Sequence, residues 1–174
     1  MISKKMEKAL NEQIVLEGYA SFLYLSMASW CDKEGMNGCK DFMRRQSEEE
    51  RMHMLKIFDY ISDVDGHALA PEIKQAPREF DSIQKMFEQV YGHEQKVTQS
   101  IHKLIDLANK EDDFTTHHFL QWYVAEQREE EALMRTILDR IKIIGDGPQS
   151  LYFIDKEVEA INKETAAAED GEAA

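Results

Sequence analysis

Four glutamates stand where apolar residues belong. Glu17, Glu50, Glu94 and Glu130 each fall near the middle of a separate stretch whose apolar residues recur every three or four positions. His53 follows Glu50 by three residues and Gln127 precedes Glu130 by three, so each pair shares one helical face. An ionised carboxylate in a dry core is costly unless positive charge meets it. No Lys or Arg occupies these stripes at that level. A divalent cation would meet the need, and several carboxylate oxygens with one imidazole suit iron or manganese. One acid in an apolar stripe is ordinarily a stripe misread by one residue. Four stripes broken at the same depth are a much rarer accident, and they point to a pair of metal ions in a helical core.

Neighbouring residues extend the set. His53 alone would read as a polar core residue; its place after Glu50 makes it a ligand. Tyr24, two turns beyond Glu17, faces the same level as a hydrogen-bond partner or redox participant. Trp122 reads as ordinary packing. Glu49, Glu126 and Glu129 flank the site but point about 100° off the seam. They are either a solvated face or an adjoining weaker metal site, and spacing leaves both open. Glu48 and Glu131 read as solvated.

The elements that must position these residues are five helices. The first runs from about Ser3 to Asp32, with Ser3 as cap, and carries Leu10, Ile14, Glu17, Ser21 and Tyr24 on its seam. The second follows the Gly35–Gly38 turn and runs to about Asp65. The third starts near Asp81 or Ser82 and ends near Asn109. A polar turn, Lys110 to Asp113, leads to the fourth, which stops at Gly145-Asp146-Gly147-Pro148. A short fifth fits Gln149 to about Lys163, closing a single domain expected over residues 1–164. The small, acidic tail from Thr165 to Ala174 is expected to be disordered. Short turns make the first and second helices, and the third and fourth, antiparallel hairpins. The stretch from Gly66 to Phe80, with Pro71 and Pro77, could extend roughly 50 Å. A helix of about 28 residues is roughly 42 Å long. The connection can therefore cross the whole bundle and set the second and third helices parallel.

Composition narrows the class. The chain has 174 residues, enough for one domain with a substantial core, and only three prolines and eight glycines. A net charge of −13 argues against nucleic acid as a partner and suits a protein that collects cations. Cys31 and Cys39 lack metal spacing and read as free thiols. With no signal peptide and no apolar run long enough for a membrane span, the expectation is a cytoplasmic protein. No zinc-protease pair follows His93-Glu94, and neither a phosphate loop nor a nucleophile elbow is present.

At these residues the chain resembles the bacterial non-haem ferritins. The resemblance covers about residues 1–163. It rests on LNEQIVLEGYASFLYLSMASW around Glu17, EEERMHM around Glu50 and His53, YGHEQ around Glu94, FLQWYVAEQREEE around Gln127 and Glu130, and SLYFID in the fifth helix. It implies a four-helix bundle with a long crossover and a short fifth helix, a hollow shell of 24 subunits, and a ferroxidase centre in each bundle. It assigns Glu17, Glu50 and His53 to a first iron and makes Glu50 a bridge to a second, held also by Glu94 and Glu130 with Gln127 nearby. Glu49, Glu126 and Glu129, with Glu130, resemble a third iron site. Arg51 stands directly after Glu50, where bacterioferritins carry their haem-ligating methionine, and Met52 is one place late, so no haem is expected. The expected function is iron storage with oxidation of Fe(II) by O2 or hydrogen peroxide. A non-storing di-iron oxidase or peroxidase, a DNA-protecting mini-ferritin and a purely structural helical protein are the alternatives. The acidic charge and the ligand set within one bundle oppose the DNA-protecting class.

Overall fold

The computed structural model describes residues 2–172, with side chains described through residue 168. The described residues form five helices: α1 (Lys4–Lys33), α2 (Asn37–Asp63), α3 (Ile83–Lys110), α4 (Phe114–Ile144) and α5 (Ser150–Glu172). Their starts follow side-chain chemistry. Ser3 Oγ accepts from the Met6 amide at 3.0 Å, Ser82 Oγ from Lys85 at 3.1 Å, and Asp113 Oδ1 from Thr116 at 2.9 Å. Helix α2 has no cap of its own, since Met36 offers no side-chain acceptor. Asp155 of α5 supplies one across the fold, its Oδ1 accepting from the Cys39 amide at 2.8 Å.

The connection, residues 64–82, crosses the bundle along α1. The His67 amide donates to Glu7 near the start of α1, and the Leu69 amide to Asn11. Further on, Ser26 Oγ donates to the Pro77 carbonyl, Phe80 packs edge-on against Trp30, and Glu79 pairs with Lys33 at 2.9 Å. The chain thus leaves α2 at one end and starts α3 at the other, so α2 and α3 run parallel. Hairpin α1–α2 packs against hairpin α3–α4, mainly through α1 and α3, and α5 lies against α2 and α4.

Two apolar blocks form the core. One contains Tyr24, Met27, Phe42, Met43, Phe87 and Met134; the other contains Leu10, Ile14, Ile57, Ile101 and Leu120. Between them lies a buried polar layer.

Helix α5 differs from expectation. It continues through the stretch expected to be disordered from Thr165, as far as Glu172. Two forces favour this. Ala166–Ala168 are strong helix formers. The Arg45 guanidinium donates to Asn162 Oδ1 at 2.7 Å and to Thr165 Oγ1 at 2.6 Å, tying the segment to α2. The last two residues of the expected tail, 173–174, lie outside the described residues. Cys31 and Cys39 are free and buried. Among the described residues no helix is long and apolar enough to cross a membrane.

Candidate metal centre

The polar layer takes side chains from all four long helices. Glu17 and Gln13 come from α1, Glu50, His53 and Gln46 from α2, Glu94 from α3, and Gln127 and Glu130 from α4; all are buried. The apolar blocks on either side fix the depth at which these side chains meet. The seam periodicity turns them inward.

Glu17, Glu50 and His53 form the tightest group, with one potential ligand atom from each lying within 4.8 Å of the others. His53 Nδ1 is 3.7 Å from Glu50 Oε2 and 3.9 Å from Glu17 Oε2, while Nε2 is 3.7 Å from Glu126 Oε1. A proton on Nε2, toward Glu126, leaves the Nδ1 lone pair facing the two buried carboxylates. Gln13 donates to Glu17 Oε1. Glu17 Oε2, Glu50 Oε2 and His53 Nδ1 have no hydrogen-bond partner. Buried polar atoms are ordinarily paired, so unpartnered acceptors this close together could hold a cation.

Glu94 and Glu130 are arranged differently. Glu94 Oε1 accepts from the Tyr24 hydroxyl and Oε2 from the Gln127 amide at 3.1 Å. Glu130 Oε1 accepts a 3.5 Å contact from Gln46, and its Oε2 has no partner, nor has Gln127 Oε1. Neither glutamate joins a three-ligand group among the described residues.

The flanking acids divide. Glu49 and Glu126 form a second compact group, which shares His53. Glu129 is exposed and pairs with Arg128 at 3.2 Å. Glu49, Glu126, Glu129 and Glu130 nevertheless line one cavity of about 830 Å³, bordered by Thr165 and Ala168 of α5.

The electrostatics follow from burial. Burial raises the Glu50 carboxyl well above the ordinary range, and the charges of Glu94 and Glu17 add to it. Glu130 is raised by burial, then by Glu49 and Glu94. Burial pushes Glu94 up to about 7 against the hydrogen bonds of Tyr24 and Gln127, which act to lower it. Burial opposes charge on His53, but the carboxylates of Glu126, Glu17 and Glu49 outweigh it, so its pKa is raised. Glu126 is lowered by His53 in return. Carboxyls raised in this way keep their protons to higher pH than free ones do, and binding of a cation to the layer would release them.

Three residues of this layer do not stand out in sequence. Gln13 and Gln46 lie one turn before Glu17 and Glu50, and that spacing is the only signal they give. Tyr123 lies on the α4 seam and reads there as packing; its buried hydroxyl has no partner. Trp122 packs edge-on against His53, with ring centroids 5.3 Å apart, and its other surroundings include the Lys56 ammonium, 3.3 Å from the ring centroid.

A family model described as ferritin-like domain matches residues 7–144. The chain belongs to the ferritin-like family. A bacterial non-heme ferritin of Campylobacter jejuni is 44% identical over 161 residues, covering 92% of this chain and 96% of the relative. One from Escherichia coli is 39% identical over 162 residues, covering 93% and 98%. The solved open-pore ferritin of the archaeon Archaeoglobus fulgidus superposes with a TM-score of 0.88 at 46% identity, covering 91% of this chain and 98% of that one. The ferritin-like match spans α1 to α4 and so includes every carboxylate of the buried layer.

Proposed function

We propose that this ferritin-like chain stores iron and oxidises Fe(II) to Fe(III) at a di-iron centre within each subunit. The observation that carries the reading is the buried layer: Glu17, Glu50 and Glu130 each keep an oxygen without a partner between two apolar blocks. No Lys or Arg pairs with these three or with Glu94 among the described residues. Glu17, Glu50 and His53 bind the first Fe(II). Glu50 also reaches the second, which takes Glu94 and Glu130, with Gln127 beside it. Tyr24 fixes Glu94 through its hydroxyl. Glu49, Glu126 and Glu129, with Glu130, hold a third iron beside the centre. Each Fe(II) gives up one electron to O2 or hydrogen peroxide, and hard carboxylate oxygens hold both oxidation states. No haem takes part.

The same chain forms a homo-oligomeric shell of 24 subunits in the cytoplasm. Phe22 and Leu25 on α1, Leu69 on the crossover, and Leu151, Tyr152 and Phe153 at the start of α5 all expose apolar surface. Burial of such side chains between copies would favour assembly. The acidic chain would concentrate cations inside such a shell.

Absorbance of ferric product after aerobic addition of Fe(II) tests the centre. His53→Ala is expected to slow the initial oxidation by at least about 10-fold while the assembly elutes unchanged. Wild-type rates in a correctly assembled His53→Ala protein would overturn the reading.

A further inference from the structure

Tyr123 has a buried group that packing does not explain. Its side chain is fully buried, and its hydroxyl has no hydrogen-bond partner. The ring is firmly seated. It lies edge-on to His53 with centroids 5.7 Å apart and to Trp122 at 4.9 Å, and it belongs to the apolar block of Leu10, Ile14 and Ile57. Phenylalanine would fill this space equally well and leave no orphaned donor. An unpaired buried hydroxyl is a standing penalty on the fold. Its presence calls for a state of the protein in which the donor is used.

The acceptors are at hand. Tyr123 stands one turn before Gln127 and two before Glu130 on the inward face of α4. The carboxylates whose charges act most strongly on its hydroxyl are Glu17 and Glu50, and Glu17 is also near enough to act on it as an acceptor, although no well-formed hydrogen bond joins them. Both keep an unpartnered Oε2. At the other end of the layer Tyr24 already donates to Glu94. The two tyrosines thus bracket the carboxylates, Tyr24 in a formed hydrogen bond and Tyr123 facing Glu17 without one.

We propose that Tyr123 is a positioning residue of the centre: when a cation draws Glu17 and Glu50 onto it, the Tyr123 hydroxyl donates to the Glu17 carboxylate and holds its orientation. This rests on the reading of the layer as a cation site. Tyr24 and Tyr123 then serve different halves, Tyr24 by ordering Glu94 before cation arrives and Tyr123 by completing the Glu17 side afterwards. Groups that orient metal ligands typically change affinity by about 10- to 100-fold when removed.

Tyr123→Phe separates this role from packing, because it removes one oxygen and keeps the ring. The probe is Zn(II), which is redox-inert, titrated calorimetrically into assembled, metal-free wild type, Tyr123→Phe and Glu50→Ala. Thermal unfolding of each metal-free protein runs alongside. The proposal expects Tyr123→Phe to bind Zn(II) at least about 10-fold more weakly yet to unfold, metal-free, at the same temperature as wild type or a few degrees higher. Unchanged Zn(II) affinity in Tyr123→Phe would overturn it. So would a lower metal-free unfolding temperature, since the hydroxyl would then be in use without a cation. If wild type binds Zn(II) no better than Glu50→Ala, the cation reading of the layer fails, and this inference fails with it.

Discussion

Glu94 is a buried carboxyl whose charge changes within the ordinary working range of pH. Its carboxyl is pushed from the ordinary 4.5 up to about 7, chiefly by burial. A carboxyl that holds its proton more tightly when folded stabilises the fold fully below the unfolded value and loses that contribution as pH rises through the folded value. Glu50 and Glu130 are shifted in the same direction. His53, also raised, adds to the trend, because its imidazolium is favoured by the fold and is lost at higher pH. The metal-free protein is therefore expected to lose stability between about pH 5 and pH 8, with Glu94 contributing on the order of 3 kcal/mol. Thermal unfolding of metal-free protein across that range checks the sign; a stability that is flat or rises with pH would contradict it. A bound divalent cation should abolish the decline, because it replaces the protons. The identities of Glu17, Glu50, His53, Glu94 and Glu130 were legible in the sequence, since each interrupts a periodic apolar stripe. Their inequality in the metal-free state was not. Which glutamate accepts from Tyr24 and Gln127, and which keeps an unpartnered oxygen, depends on side-chain directions across helices that spacing along one helix does not encode.

At the scale of elements, the helices and their seams follow from local chemistry. Ser3 and Ser82 cap where a serine precedes an apolar period, and Gly145, at φ 67°, ends α4 in a backbone conformation that glycine adopts without strain. The crossover was legible as length with two prolines, and its contacts run from Glu7 to Lys33 along α1. The extent of α5 was not legible. A run of Ala and acids suits either a helix or a disordered tail, and what favours helix is Arg45, distant in sequence. The seat of α5 on α2 is close at Gly38, where an added Cβ would lie 2.3 Å from the Asp155 carbonyl oxygen and 2.8 Å from Glu159 Cβ. Because the first of these is backbone, α5 itself must shift. Gly38→Ala is expected to loosen the Cys39–Asp155 cap and destabilise the chain by about 1–3 kcal/mol, with faster amide exchange in α5. Wild-type exchange in α5 would show that the helix absorbs the methyl group without moving.

The whole molecule is two apolar blocks held apart by a layer of acids, inside a chain of net charge −13. The blocks supply the stability that lets the layer stay buried, and the layer supplies the chemistry. Apolar side chains exposed on α1, the crossover and α5 provide surfaces on which copies can assemble. Family membership accounts for the frame, while storage requires that iron pass through the centre rather than remain in it. The leaner Glu94–Glu130 side, with the cavity of Glu49, Glu126 and Glu129 beside it, suits such passage. The measurement that tests this most directly is iron content and mass by light scattering of the size-separated protein after aerobic loading with increasing Fe(II). Storage predicts a large, closed assembly whose iron content keeps rising far beyond the ions that the proposed centres alone can hold. An uptake that stops at the capacity of those centres, in a fully assembled shell, would contradict storage and leave a di-iron oxidase in its place.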